Sequence, residues 1–131
     1  MKTAIEISEV IERELLSWPD VMAGSHRFGG REFRVGKLEM GHLHGSRVAD
    51  LPFPRVVRDE LVARGEVSPH HHLPNSGWVS FDIRGEQDIP AVLALFRRNY
   101  DRLHTIGQRR QVETVSIADS NQHSTNRSSH E

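Results

Sequence analysis

The chain has 131 residues, with Lys+Arg 17 against Asp+Glu 18, a formal charge of -1 and Cys 0. That length suits one domain, and the charge balance gives no general attraction to nucleic acid or an anionic membrane. Without cysteine there is no disulfide, thiolate nucleophile or Cys-ligated zinc; with 36% hydrophobic residues a modest core is expected.

The N-terminal stretch MKTAIEISEVIEREL carries acids every few residues and no unbroken apolar run, unlike a secretory signal. No segment approaches the ~20 apolar residues of a membrane helix. The expectation is a soluble, cytoplasmic protein. Thr3 and Glu6 read as a capping box, each side chain satisfying the other residue's backbone N–H. Ile7, Ile11, Leu15 and Trp18 then recur at helical spacing. They predict a helix over 4–18, stopped by Pro19.

GSHRFGGREFRVG reads as a hairpin turning at Gly29 and Gly30. Phe33 and Val35 share one face of its second strand. The next strand, 38–44, is expected to pair with 47–53 through a two-residue turn at Gly45 and Ser46. That register sets His44 opposite Arg47, His42 opposite Ala49, Met40 opposite Leu51 and Gly41 opposite Asp50. One face then carries Leu38, Met40, His42, His44, Leu51 and Phe53; the other carries Glu39, Leu43, Val48 and Asp50. A bulge at Gly41 would exchange part of this pattern.

Pro54 fits the first turn of a second helix, with Val57 and Leu61 inward and Gly65 ending it. EVSPHHHLPNSG reads as an irregular polar loop. Residues 78–84 alternate, with Val79, Phe81 and Ile83 on one side and Trp78, Ser80 and Asp82 on the other, as in a half-buried strand. Asp88 and Pro90 open a third helix, whose buried stripe is Ile89, Val92, Leu93, Phe96, Tyr100 and Leu103. After Gly107 the composition turns polar, so 107–131 is expected to be a mostly disordered tail. The order of elements makes residues 1–106 a single small α+β domain: an antiparallel sheet with helices packed on one face. Ile11, Leu15, Leu61, Phe81, Ile83, Val92 and Phe96 are its expected core.

The stretch LEMGHLHGSRVADLPFP concentrates the chemistry. Side chains two apart on a strand point the same way, so His42 and His44 can act together as base and partner near neutral pH. They can also chelate a metal, with His70, His71 or His72 and Glu39 or Asp50 as further ligands. Those candidates look too scattered along the chain for a closed tetrahedral site, and no metal is expected. Trp78 can stack on a planar ligand. Arg97, Arg98, Arg102, Arg109 and Arg110 make a basic segment that can touch phosphates or form a solvated helix face. No P-loop, dinucleotide glycine fingerprint or serine nucleophile signature occurs.

The segment from LEMGHLHGSRVADLPFP through RDELVARGEVSPHHHLPNSGWVSF to FRRNY resembles the luciferase-domain family over residues 31–100. That family joins small bacterial proteins to the fungal luciferases. The likeness lies in Glu39, His42 and His44, in Gly65, in a histidine before Leu73, and in Trp78 opening an aromatic strand. His71 best matches the family's loop histidine, and His70 matches bacterial members only. The resemblance implies an α+β domain and a cofactor-independent monooxygenase without metal or flavin. It would oxygenate an electron-rich hydroxypyrone after a base removes a hydroxyl proton. On that reading His42, His44, Glu39, Asp50 and His71 are catalytic, and Trp78, His70 and Arg47 bind a small planar organic ligand. A weaker likeness in order of elements is to the YjbR-type α+β proteins, which implies a non-enzymatic module contacting nucleic acid or a protein partner.

Overall fold

The computed structural model describes residues 4–25, 29–70 and 72–128, with side chains for 7–25, 29–70 and 72–109. The capping residue Thr3 and the loop residue His71 lie outside the described residues. The chain forms α1 (Ala4–Leu16), β1 (Val21–Ser25), β2 (Arg31–Val35), β3 (Leu38–His44) and β4 (Val48–Pro52). After these come α2 (Arg55–Ala63), β5 (Ser68–Pro69), β6 (Trp78–Asp82), a 3-10 turn (Glu86–Asp88) and α3 (Ile89–Ser128).

The strands make one sheet in the order β1-β2-β3-β4-β6-β5, antiparallel at every pairing. The helices gather on one face, because that face holds the apolar side chains. Ile11 and Leu15 of α1, Leu61 of α2, and Val92 and Phe96 of α3 are buried there with Phe33, Leu43, Leu51 and Val79. Ile83 is buried as expected, while Phe81 is only partly so. The Phe33 and Phe96 rings meet edge to face at 6.0 Å. No described helix is long and apolar enough to cross a membrane.

Several local expectations are corrected. Ser25 pairs with Arg31, so the first hairpin's connection is longer than the glycine pair. Residues 68–69 are not irregular but form β5 on the edge of β6, where Ser68 faces Ser80 and Pro69 faces Val79. Pro54 is the N-cap of α2 rather than part of its first turn. Asp88 belongs to the 3-10 turn, and its carboxylate accepts the Arg84 amide at 2.8 Å. Gly65 does end α2: its φ is 76°, and its amide and that of Glu66 bond back to Val62 and Leu61.

The central correction is the register of β3 on β4. His42 faces Asp50, Leu43 faces Ala49 and His44 faces Val48, one residue away from the expected pairing. The connection closes over Gly45, Ser46 and Arg47, with the Arg47 amide donating to the His44 carbonyl. A shift of one residue exchanges faces along a strand, and Asp50 therefore joins His42 and His44. A bulge in β3 makes the second change. Gly41 pairs with Phe33 and Glu39 with Arg34, and Met40 is skipped. Glu39 thus comes onto the face of His42, three residues away. Asn99, fully buried on α3, donates from Nδ2 to the Met40 carbonyl at 2.8 Å and so satisfies the backbone group the bulge leaves over.

α3 keeps helical geometry to Ser128, past the point where a disordered tail was expected. Among the residues with described side chains, Leu103 and Ile106 are the last of α3 packed on the core, and Gly107 to Arg109 are exposed. Once a packed segment has nucleated a helix, further turns add at small cost.

Candidate functional site

The face of the sheet away from the helices carries the chemistry. Asp50 of β4 is its centre and is 2% exposed. Its Oδ2 lies 3.2 Å from His42 Nε2, 3.2 Å from His44 Nε2 and 3.4 Å from His70 Nε2. Its Oδ1 accepts the Ser80 hydroxyl at 2.6 Å. On the far side of the His42 ring, Nδ1 lies 3.2 Å from Glu39 Oε2.

Each member is placed by a simple local rule. His42 and His44 are two apart on β3. Asp50 and Ser80 are register partners on adjacent strands, and the pleat turns such pairs to the same face. His70 follows β5, and its amide donates to the Trp78 carbonyl, which draws the loop over the cluster. Its Nδ1 accepts the His72 amide at 3.2 Å. A ring accepting at Nδ1 holds its proton on Nε2, which directs that N–H at Asp50. Trp78 closes one side, with its ring 5.3 Å from that of His42 and 6.1 Å from that of His70. The His42 and His44 rings meet edge to face at 4.8 Å.

The electrostatics follow from these contacts. Burial alone pulls the His42 imidazole pKa down, but the hydrogen bonds to Asp50 and Glu39 and their charges outweigh it and raise the pKa to about 9. Burial alone pushes the Asp50 carboxyl up. Hydrogen bonds from His42 and Ser80, with the charges of His70 and His42, outweigh that and hold it at about 2. A carboxylate this buried is stable only because several donors surround it.

The structure brings together Glu39, His42, His44, Asp50, His70 and Trp78 of the expected residues. His70 holds Asp50 directly, whereas it was expected to contact ligand. Arg47 does not join: it is exposed in the β3–β4 turn, and no side-chain contact ties it to the cluster among the described residues. Ser80 was missed. Its one sequence signal was its position between Trp78 and Asp82 on the alternating strand, and only the register sets it opposite Asp50. Metal-ligand candidates that looked scattered along the chain are in fact gathered, with donor atoms of His42, His44 and Asp50 all within 4.8 Å of one another.

Two other features lie elsewhere. A cavity of about 480 Å³ is lined by Leu61, Phe81, Ala91, Leu95 and Arg98 on the helix-covered side, away from the histidines. Three arginines of the basic segment of α3, Arg97, Arg98 and Arg102, make contacts within the chain. Arg97 sits 5.0 Å over both Trp18 and Tyr100 and 3.2 Å from Asp101. Arg98 pairs with Glu60 at 3.0 Å, and Arg102 bonds to Asn99 and to the Pro52 carbonyl.

No curated protein and no solved structure matches the chain. Residues 37–99, the segment that runs from before Glu39 to Asn99 and holds every member of the cluster, match the Luciferase domain family. That match supports assigning the chain to the luciferase-domain family.

Proposed function

We propose that the chain binds a small planar organic ligand beside Trp78 and acts on it by proton transfer at the histidine–aspartate cluster, in an oxygenase-type reaction. The observation that supports this most is the convergence of three imidazole nitrogens on one buried carboxylate oxygen next to an aromatic wall. A cluster of this kind costs desolvation energy that a core of apolar side chains would avoid. The match to the Luciferase domain family supports an oxygenase-type reaction as the reading.

The roles divide by geometry. His42 has a carboxylate at each ring nitrogen, so it serves as the orienting and charge-stabilising partner rather than the base. His44 lies at the rim, with its side chain 37% exposed and Nε2 turned to Asp50. Asp50 accepts that N–H, which fixes the orientation of the ring. His44 then removes a hydroxyl proton from the ligand, and the resulting anion gives electrons to molecular oxygen. The positive His42 ring beside it stabilises the anion. Trp78 supplies the stacking surface.

A thermal-shift screen of planar hydroxylated compounds, hydroxypyrones included, tests the binding step. A ligand present well above its Kd raises the midpoint of unfolding. A hit whose shift is lost in Trp78→Ala and His44→Ala supports the reading. A hit whose shift is unchanged in both variants places the ligand elsewhere and refutes it.

A further inference from the structure

We propose that His42, His44 and Asp50 form a binding site for one divalent transition-metal ion, of the borderline class that includes Zn²⁺ and Fe²⁺. Among the described residues they are the one group of three that offers ligand atoms within 4.8 Å of one another. Two imidazoles and one carboxylate, with the remaining positions open, are the donor set that suits these ions.

Three observations carry the inference beyond proximity. First, Asp50 Oδ2 is crowded. Three Nε2 atoms stand 3.2, 3.2 and 3.4 Å from it, while a carboxylate oxygen has about two lone-pair directions. An ion between the His42 and His44 nitrogens and this oxygen would use their lone pairs and relieve that surplus of donors. Ligands ~2.0–2.2 Å from an ion stand roughly 3.0–3.5 Å apart, and both histidine-to-carboxylate separations fall in that range.

Second, the outer partners are those a metal site uses. Glu39 faces Nδ1 of His42 at 3.2 Å, leaving Nε2 to face inward. Ser80 holds the other oxygen of Asp50 at 2.6 Å. Carboxylate-to-histidine and hydroxyl-to-carboxylate bonds of this kind fix the orientation of ligating groups. Third, the geometry sets the limits of the ligand set. His70 accepts the His72 amide at Nδ1, so its Nε2 carries a proton and donates to Asp50 instead of ligating.

The inference stands apart from the ligand reading above. An ion here would replace the hydrogen bonds of His42 and His44 to Asp50, so this inference concerns the metal-loaded chain, and the proton-transfer reading, with His44 as base, the metal-free one. Each of the two readings can fail without the other, because metal binding is measured with no organic ligand present.

The test uses the full chain without a histidine tag, stripped with a chelator, checked for folding by circular dichroism, and titrated calorimetrically with Zn²⁺. The expected result is one equivalent per chain. Glu39→Gln should keep that stoichiometry with affinity lowered ~10–100-fold, the usual effect of losing an outer partner. His70→Gln should also keep one equivalent. His44→Ala, a change at the rim that leaves the buried residues in place, should lose it. No saturable binding by the folded wild-type chain would overturn the proposal, as would one equivalent retained in His44→Ala or a site lost in His70→Gln.

Discussion

Asp50 is the residue on which the cluster depends. It is 2% exposed and joins β4 to β3, β6 and the loop after β5 through His42, His44, Ser80 and His70. Removing one member of a buried charged pair leaves the other uncompensated, at a cost of ~3–5 kcal/mol. Asp50→Ala is therefore expected to lower the unfolding free energy by about that amount in urea melts of metal-free protein. A change within ~0.5 kcal/mol, the range of an ordinary surface substitution, would show that the cluster does not bear on stability. His44→Ala is expected to be mild, since that side chain is partly exposed. The residue types were legible from the sequence: the HxH spacing, Glu39, Asp50 and Trp78 all enter the cluster. That His70 faces Asp50 was not legible. Consecutive histidines have the same chemistry, and only the pairing of β5 on β6 turns His70 toward Asp50.

At the level of elements, the site depends on the bulge at Met40 and Gly41. A Cβ at Gly41 would lie 2.8 Å from the Asp50 carbonyl oxygen and 2.9 Å from the Phe96 ring. Both are fixed parts of the core, so Gly41→Ala forces a shift that costs ~1–3 kcal/mol, the range for overpacking. Asn99→Ala leaves the Met40 carbonyl buried without its partner, with an expected loss of ~1–3 kcal/mol in urea unfolding. A wild-type midpoint in either variant would remove the bulge from the account. Periodicity located α1, α2, β6 and the packed part of α3, because each buries one regular stripe. Register follows from turn length and bulges, which periodicity does not encode: a three-residue turn in place of two moved Asp50 across the sheet. Asn99 sat unnoticed inside an apolar stripe, since its partner is a backbone carbonyl 59 residues away in sequence.

For the molecule as a whole, the core between sheet and helices should set stability, and the chain beyond the packed part of α3 should add little. Leu15→Ala and Leu61→Ala, at positions 0% and 1% exposed, are expected to cost ~2–5 kcal/mol each. We propose that residues 1–106 are the folding unit; a chain ended after Arg109 should then melt at the temperature of the full one, and a clear drop would show that the distal helix is part of the fold. The central claim is that the open-face cluster is the working site, and oxygen uptake tests it most directly. Wild-type protein and His44→Ala, matched for thermal midpoint, would be compared with the best hydroxylated ligand from the screen. The account predicts ligand-dependent uptake by the wild-type chain that falls ~10²–10⁴-fold in His44→Ala, the range for losing a positioned base. Uptake that persists at the wild-type rate when His42 and His44 are both changed to alanine would contradict it.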